Sequence, residues 1–301
     1  MHHEMISAII TTCKREPAIV RRAVMSILAQ TYPHMELIVV DDSPSDYSER
    51  QNVADMIEEI RRNARMEIRY IQHPVCKGAC AARNTGWKNA NGSIIGYLDD
   101  DDEWLPRKAE KMIEGFTSPK IALVYCNHFT CNVTTGTIEK SPHKQHSGYV
   151  YDQLIHLNFV GSTSFPLIRK EALRSIGGFD IKMQSSQDLD VWLRLAKHYP
   201  FAFTDDYLAK YYTCGSNQIS GDPLKRISGL SRIIAKNKAY IDKHPTAFWY
   251  RNVKIIPQYV RAGDFTAAFA AWRRCVRRCP LKLIGNTEYL GYLILKYIRR
   301  K

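Results

Sequence analysis

Residues 94–107 read IIGYLDDDDEWLPR, an apolar run that ends in four consecutive aspartates, Asp99 to Asp102, followed at once by Trp104 and Pro106. Four adjacent carboxylates repel one another, and a cation relieves that repulsion. Oxygen ligands suit Mg²⁺ or Mn²⁺, which in turn can hold a diphosphate. The chemistry indicated is that of an enzyme handling a phosphorylated donor. Taken alone, the run reads more readily as a solvated acidic loop after a buried strand. The surrounding elements have to decide.

The first half of the chain alternates strand-length apolar runs with helical spacing. MISAIITT (5–12), ELIVVDD (36–42), MEIRYIQ (66–72) and SIIGYLD (93–99) read as strands. Between them, Pro17 opens a helix, residues 47–63 read as a polar helix, and GACAARNTGWKNA (78–90) as a helix of small residues. Pro106 is expected to start another. This alternation predicts an α/β fold, Rossmann-like, with a mostly parallel sheet and helices on both faces. Such sheets bind ligands at the carboxyl ends of their strands. Thr11-Thr12, Asp41-Asp42 and Asp99 to Asp102 all fall there, and they become one site if their strands are neighbours.

After residue 120 the pattern loosens. IALVYC (121–126) reads as a strand and TTG (134–136) as a hairpin turn. SFPLIRK (164–170) resembles an edge strand, because Pro166 removes a ladder donor. SIGGFD (175–180) reads as a loop and residues 186–198 as an amphipathic helix. From Pro223 onward the pattern is helical, with breaks near Pro245, Gly263 and Pro280. Two domains are therefore expected, 1–222 and 223–301.

The chain has 301 residues, 45% of them hydrophobic, enough for a sizeable core. The N-terminal stretch lacks the length and flanks of a signal peptide, and no window reaches the roughly 18 apolar residues of a membrane span. A cytoplasmic location is expected. The eight cysteines read as free thiols, several of them buried, with no partners at zinc-finger spacing. The net charge of +13 is unevenly placed: residues 223–301 carry 18 basic and 3 acidic side chains, so the excess lies wholly in the last quarter. Such a segment on a nearly neutral body points to an anionic surface as partner.

Together these segments resemble the family 2 glycosyltransferases, which have the GT-A fold. SAIITTCKREPAIVRRAVMSILAQTYPHMELIVVDDSPSD is similar to that family's nucleotide-binding opening. KGACAARNTGWKNANGSIIGYLDDDDEWLP is similar to its ARN-x-G and D-x-D segment, and GGFDIKMQSSQDLDVWLRLAKH to its GGFD segment and acidic base motif. The resemblance covers residues 5–221. It implies an inverting, metal-dependent transferase, hexosyl or N-acetylhexosaminyl, that uses a UDP-sugar. The acceptor would be a glycan or lipid-linked oligosaccharide in surface polysaccharide biosynthesis.

Residue by residue, the resemblance implies Mn²⁺ or Mg²⁺ on Asp101, with Asp99 as a further ligand. Asp99 or Asp100 would hold the ribose or reach the metal through water. Asp102 would cap the next helix or join the cluster. Asp42 would contact uracil or ribose, and Thr11 and Thr12 would line the base pocket. Arg15 and Arg83 join the donor-binding set; Arg83 would equally serve as a scaffold partner for the aspartates. Asp188 is the implied general base. Asp190, two residues on, points elsewhere on the helix.

Three positions depart from the family pattern. Cys13 stands where an aromatic often stacks on the base. Gln187 stands where the family often has Glu. AKYYTCGSNQISG lacks the histidine that often helps hold metal or diphosphate, offering Cys214, Asn217 or Gln218 instead. In the tail, WRRCVRRC (272–279) and the terminal YLILKYIRRK mix aromatic, aliphatic and basic residues. That suits an amphipathic helix on an anionic membrane, placing the enzyme peripherally on the inner face. No nucleic-acid motif accompanies the charge, so no nucleic-acid partner is expected. Two other classes remain open on sequence: a nucleotidyltransferase, though TTCKREP has no glycine-rich loop, and a non-catalytic nucleotide-sugar or glycan-binding protein.

Overall fold

The computed structural model describes residues 4–142, 145–213 and 222–280. The first elements are β1 (Ile6–Thr12), α1 (Pro17–Leu28), β2 (Met35–Asp41), α2 (Arg50–Asn63), β3 (Glu67–Gln72), α3 (Ala79–Lys88) and β4 (Ile94–Asp99). Then follow β5 (Glu103–Trp104), α4 (Lys108–Ile113), β6 (Leu123–Asn132), β7 (Ile138–Ser141), α5 (Tyr151–Leu154), β8 (Leu167–Arg169), α6 (Lys170–Ser175), α7 (Gln187–Ala196) and β9 (Phe201–Thr213). Five helices complete the described chain: α8 (Pro223–Lys236), α9 (Lys238–Lys243), α10 (Pro245–Val253), α11 (Ile256–Arg261) and α12 (Phe265–Arg278).

The strands form one sheet in the order β3-β2-β1-β4-β8-β6-β9-β5, with β7 paired to β6. β3-β2-β1-β4 is parallel throughout, and β6 and β9 form a further parallel pair. β8 runs antiparallel to both β4 and β6. Because the central strands are covered on both faces, they read as continuous apolar runs. Ile6, Ala8 and Ile10 of β1 pack in one cluster with Val20, Val24 and Ile27 of α1. Ile9 points the other way, onto α3, so closely that a Cβ on Gly86 would lie 2.4 Å from its Cγ2.

The expected strands and helices of the first half are present, with ends shifted by a few residues. Pro106 precedes α4 rather than opening it. Three differences have clear causes. The 164–170 segment is not an edge: β8 lies between β4 and β6, and its ladder starts at Leu167, after Pro166, so the missing donor falls outside it. β6 extends well beyond the apolar IALVYC run, because its polar second half is held by β9 and by the β7 hairpin, whose turn carries Gly136 at φ +71. β9 has a Thr-Asp-Asp interruption at 204–206 that hides its strand character in the sequence.

The described residues divide into two compact units. One holds the sheet. The other holds α8 to α12 together with Asp152–Asn158 and Lys182–Gln187. The helical unit has its own core of Leu230, Trp249, Ile255, Ile256, Ala271 and Cys275. Its buried Arg251 donates to the Leu154 carbonyl at 2.6 Å and to that of Ile155, tying in the short segment. Among the described residues no helix is long and apolar enough to cross a membrane.

Candidate active site

β1 lies between β2 and β4, which brings the three polar strand ends together. In register, Thr11 sits beside Val40 on one side and Asp99 on the other, and Thr12 beside Asp41. The Asp42 amide donates to the Thr12 carbonyl at 2.8 Å.

The four aspartates have four different environments. Asp99 accepts from Arg83 Nη2 at 2.8 Å and from the Ser162 and Thr163 hydroxyls at 3.1 Å each. Burial pushes its pKa up, but these partners, Arg83 foremost, outweigh it and hold the carboxyl below the usual range. Arg15 bridges the next two, with Nε 2.9 Å from Asp100 and Nη2 2.6 Å from Asp101. Even so, burial pushes Asp100 up to about 6, against Arg15 and Thr12. Burial and the charge of Asp99 also raise Asp101. Asp102 is raised well above its ordinary value by burial and then by Asp99.

Asp102 does not cap a helix. It is fully buried, accepts from Ser164 Oγ at 2.6 Å and from the Tyr212 amide at 3.1 Å, and so ties the 162–164 loop to β9. The residue before α4 is Arg107, without a side-chain cap bond. Burial comes first in raising all three carboxyls, and Arg15 only partly offsets it at Asp100 and Asp101. Hard oxygen donors in that state fit a divalent cation. The side chains of Asp99 and Asp101 are 27% and 20% exposed against 8% for Asp100, so the two expected metal ligands are the accessible ones.

Asp42 is buried, and its oxygens hold the loop before α3. They accept from the Lys77 and Gly78 amides at 2.8 and 2.7 Å, and Oδ1 lies 2.7 Å from His73 Nδ1. Burial raises its pKa, but those bonds bring it below the usual range. Asp41 is a turn acid, accepting from the Ser43 amide and the Tyr70 hydroxyl at 2.8 and 2.7 Å.

The ARN-x-G and GGFD segments interlock. Asn84 donates to the Phe179 carbonyl and accepts from the Phe179 amide, both at 2.8 Å. Gly177 and Gly178 have φ +74 and +70, and a Cβ on Gly178 would lie 2.5 Å from Asn84 Oδ1. Arg83 is buried on its aspartate, with its guanidinium 5.5 Å from the Phe179 ring. From α7, Arg194 donates to the Ile176 and Gly178 carbonyls at 2.6 and 2.7 Å and pairs with buried Asp190 at 2.8 Å. Asp190 therefore orients a clamp.

Asp188 lies half-buried in the first turn of α7. The Tyr211 hydroxyl, whose pKa is raised first by burial, is also raised by the charges of Asp102, Asp99, Asp101 and Asp188. One hydroxyl thus senses both the aspartate run and Asp188.

Several members of this neighbourhood carry no local sequence signal. They are His73, the Ser162–Ser164 hydroxyls, Tyr211, and Arg22, which donates to the Asp101 carbonyl at 2.6 Å and lies 4.0 Å over the Tyr212 ring. The serine and threonine run of GSTS (161–164) was the one visible hint. Cys214, Asn217 and Gln218 lie outside the described residues.

The profile for glycosyl transferase family 2 matches residues 7–177, more than half of the chain. The chain belongs to that family. This family 2 glycosyltransferase is 28% identical over 256 residues to the glycosyl transferase WcaA of Escherichia coli K12, assigned to colanic acid biosynthesis, covering 80% of this chain and 84% of that one. It is 27% identical over 244 residues to WfaP of Escherichia coli, named a UDP-Glc:alpha-D-GlcNAc-diphosphoundecaprenol beta-1,3-glucosyltransferase, covering 77% and 86%. Among solved structures, TarS 1-349 of S. aureus in complex with UDP-GlcNAc superposes with a TM-score of 0.61 at 15% identity, over 85% of this chain and 72% of that one. In another TarS structure this chain spans 43% of the chain. The expected GT-A fold is borne out, and family membership sets aside the nucleotidyltransferase reading.

The Asp102 environment yields a test. Asp102→Asn keeps the shape and an acceptor for Tyr212 without the charge that burial already disfavours, so its thermal unfolding at pH 7 should match or exceed that of the parent. Asp102→Ala strands two buried donors and should cost about 1–3 kcal/mol. Equal destabilisation by both would show that the carboxyl is held ionised.

Proposed function

We propose that this glycosyltransferase transfers a hexosyl or N-acetylhexosaminyl group, with inversion, from a UDP-sugar to a glycan or lipid-linked acceptor in surface polysaccharide biosynthesis. The observation that carries this reading is the convergence of Thr11, Arg15, Arg83 and Asp99 to Asp101 at the carboxyl ends of β1 and β4, with Tyr211 influenced both by the aspartates and by Asp188. The names of WfaP and the UDP-GlcNAc bound to TarS support the donor class and a lipid-linked acceptor.

In this reading Thr11 and Thr12 line the nucleoside end of the donor site, Asp42 fixes the loop beside it, and Arg15 and Arg83 face its diphosphate. Cys13 offers no ring to stack on the base, so the nucleoside is held by polar contacts. Asp101 and Asp99 would hold Mn²⁺ or Mg²⁺, which when bound supplies positive charge to the departing diphosphate. Asp188 takes the proton of the acceptor hydroxyl as that oxygen bonds to the anomeric carbon. The bond to the diphosphate breaks on the opposite face, and the centre inverts.

The helical unit supports a peripheral membrane location. On α12, Ala268, Ala271 and Cys275 face the core, while Phe265 and Phe269 are 53% and 61% exposed. Arg273, Arg274 and Arg277 are exposed further round the helix. Aromatic side chains beside arginines suit the headgroup region of an anionic bilayer. The terminal YLILKYIRRK lies outside the described residues.

Three outcomes test these assignments. Asp188→Asn should lower transfer by about a hundredfold or more while thermal stabilisation by the UDP-sugar persists; unchanged transfer would remove Asp188 as base. Asp100 has a raised folded pKa, about 6, so it contributes stability below its unfolded value that is lost as pH rises through 6. A cation opposes that loss, so the gain in Tm from Mn²⁺ should be larger at pH 7 than at pH 5. A gain independent of pH would place the ion away from Asp100. Phe265→Ser with Phe269→Ser should reduce co-sedimentation with phosphatidylglycerol vesicles, and undiminished sedimentation would rule out α12 as the docking face.

A further inference from the structure

The departure at Cys13 creates something the family pattern does not describe. Cys13 directly follows β1, and Cys76 lies in the loop that Asp42 holds. Both thiols are solvent-exposed. Cys13 Sγ lies 3.4 Å from the Asp42 carbonyl and Cys76 Sγ 3.4 Å from Asp42 Oδ2. The two sulfurs and a carboxylate oxygen all lie within 4.8 Å of one another.

We propose that Cys13, Cys76 and Asp42 form a binding site for a soft divalent cation, with zinc the best match, separate from the Asp99 to Asp101 site. A tetrahedral zinc with Zn–S of about 2.3 Å and Zn–O of about 2.0–2.2 Å places sulfur about 3.5 Å from oxygen and about 3.8 Å from a second sulfur. The Cys76-to-carboxylate spacing of 3.4 Å already matches, and the other donor separations, all within 4.8 Å, need only a small closure. Two thiols and one carboxylate leave a fourth position for water, and the thiols discriminate against Mg²⁺.

The donors are also fixed before any ion arrives. The Lys77 and Gly78 amides and His73 set the carboxylate of Asp42, the role that outer hydrogen bonds play around metal ligands. Cys13 is followed by Lys14 at φ +52, whose amide donates to Ser43 Oγ at 2.8 Å. Binding is an exchange: each thiol releases its proton to solvent and its S–H bond is replaced by S–Zn, two protons per ion, while the ionised carboxylate joins without a proton change. Affinity therefore rises with pH.

The test uses the reduced, metal-stripped full chain, titrated with zinc against a chromophoric chelator and separately with Co²⁺. One tight zinc per chain is expected, with a thiolate-to-cobalt band in the near ultraviolet. Cys13→Ser and Cys76→Ser should each weaken zinc at least about tenfold and abolish the band, with folding checked by circular dichroism. Asp99→Asn with Asp101→Asn should leave zinc affinity intact. Equal zinc affinity in the double cysteine variant, no cobalt band in the parent, or loss of zinc only in the aspartate variant would each overturn the site.

Discussion

Charge crowding at the end of β4 is the constraint on which the rest of this architecture turns. Four carboxylates leave one strand in sequence, and no arrangement of their own backbone separates them enough. Cations and donors must come from elsewhere: Arg15 from after β1, Arg83 from α3, hydroxyls from the 162–164 loop, and the Tyr212 amide from β9. Each requires a particular neighbour. Arg83 reaches Asp99 because α3 lies tightly on β1, which in turn needs Gly86 against Ile9. Compensation is incomplete, since Asp100, Asp101 and Asp102 remain harder to ionise than free carboxyls. Of the four, Asp99 and Asp101 keep the most exposed side chains, at 27% and 20%.

A second set of interactions decides where α7 stands. Asn84 grips Phe179 by both backbone groups, and Arg194 grips the carbonyls on either side of Gly177. Asp190 holds Arg194 in place. The two left-handed glycines let the chain turn tightly between these grips. Arg83 and Asn84 are adjacent on α3, so one helix turn positions both the aspartate partner and the segment leading to Asp188. Two motifs far apart in the sequence are mechanically a single device.

The helical unit is organised differently. Its core is modest, and its charge is carried on exposed faces. The concentration of basic residues after Pro223 is thus a property of a separate compact unit, leaving the sheet unit nearly neutral around its acidic site.

The sequence by itself determined the alternation of β and α elements, the positions of the polar strand ends, and the aspartate run. Each of these is written in local periodicity or in adjacent residues, so short-range physics is enough to read them. It also marked the motifs by which the family is resembled. The tertiary structure alone decided that β8 is internal, because strand partners are chosen by sheet order and not by the residues of the strand. It alone gave Asp102 a tie to β9 in place of a helix cap, since a buried carboxyl takes whichever donors the fold brings to it. It recruited His73 and Tyr211, which nothing nearby in the sequence marks. It also brought Cys13 and Cys76 together across two parallel strands, a proximity that cysteine spacing could not reveal because it arises from packing.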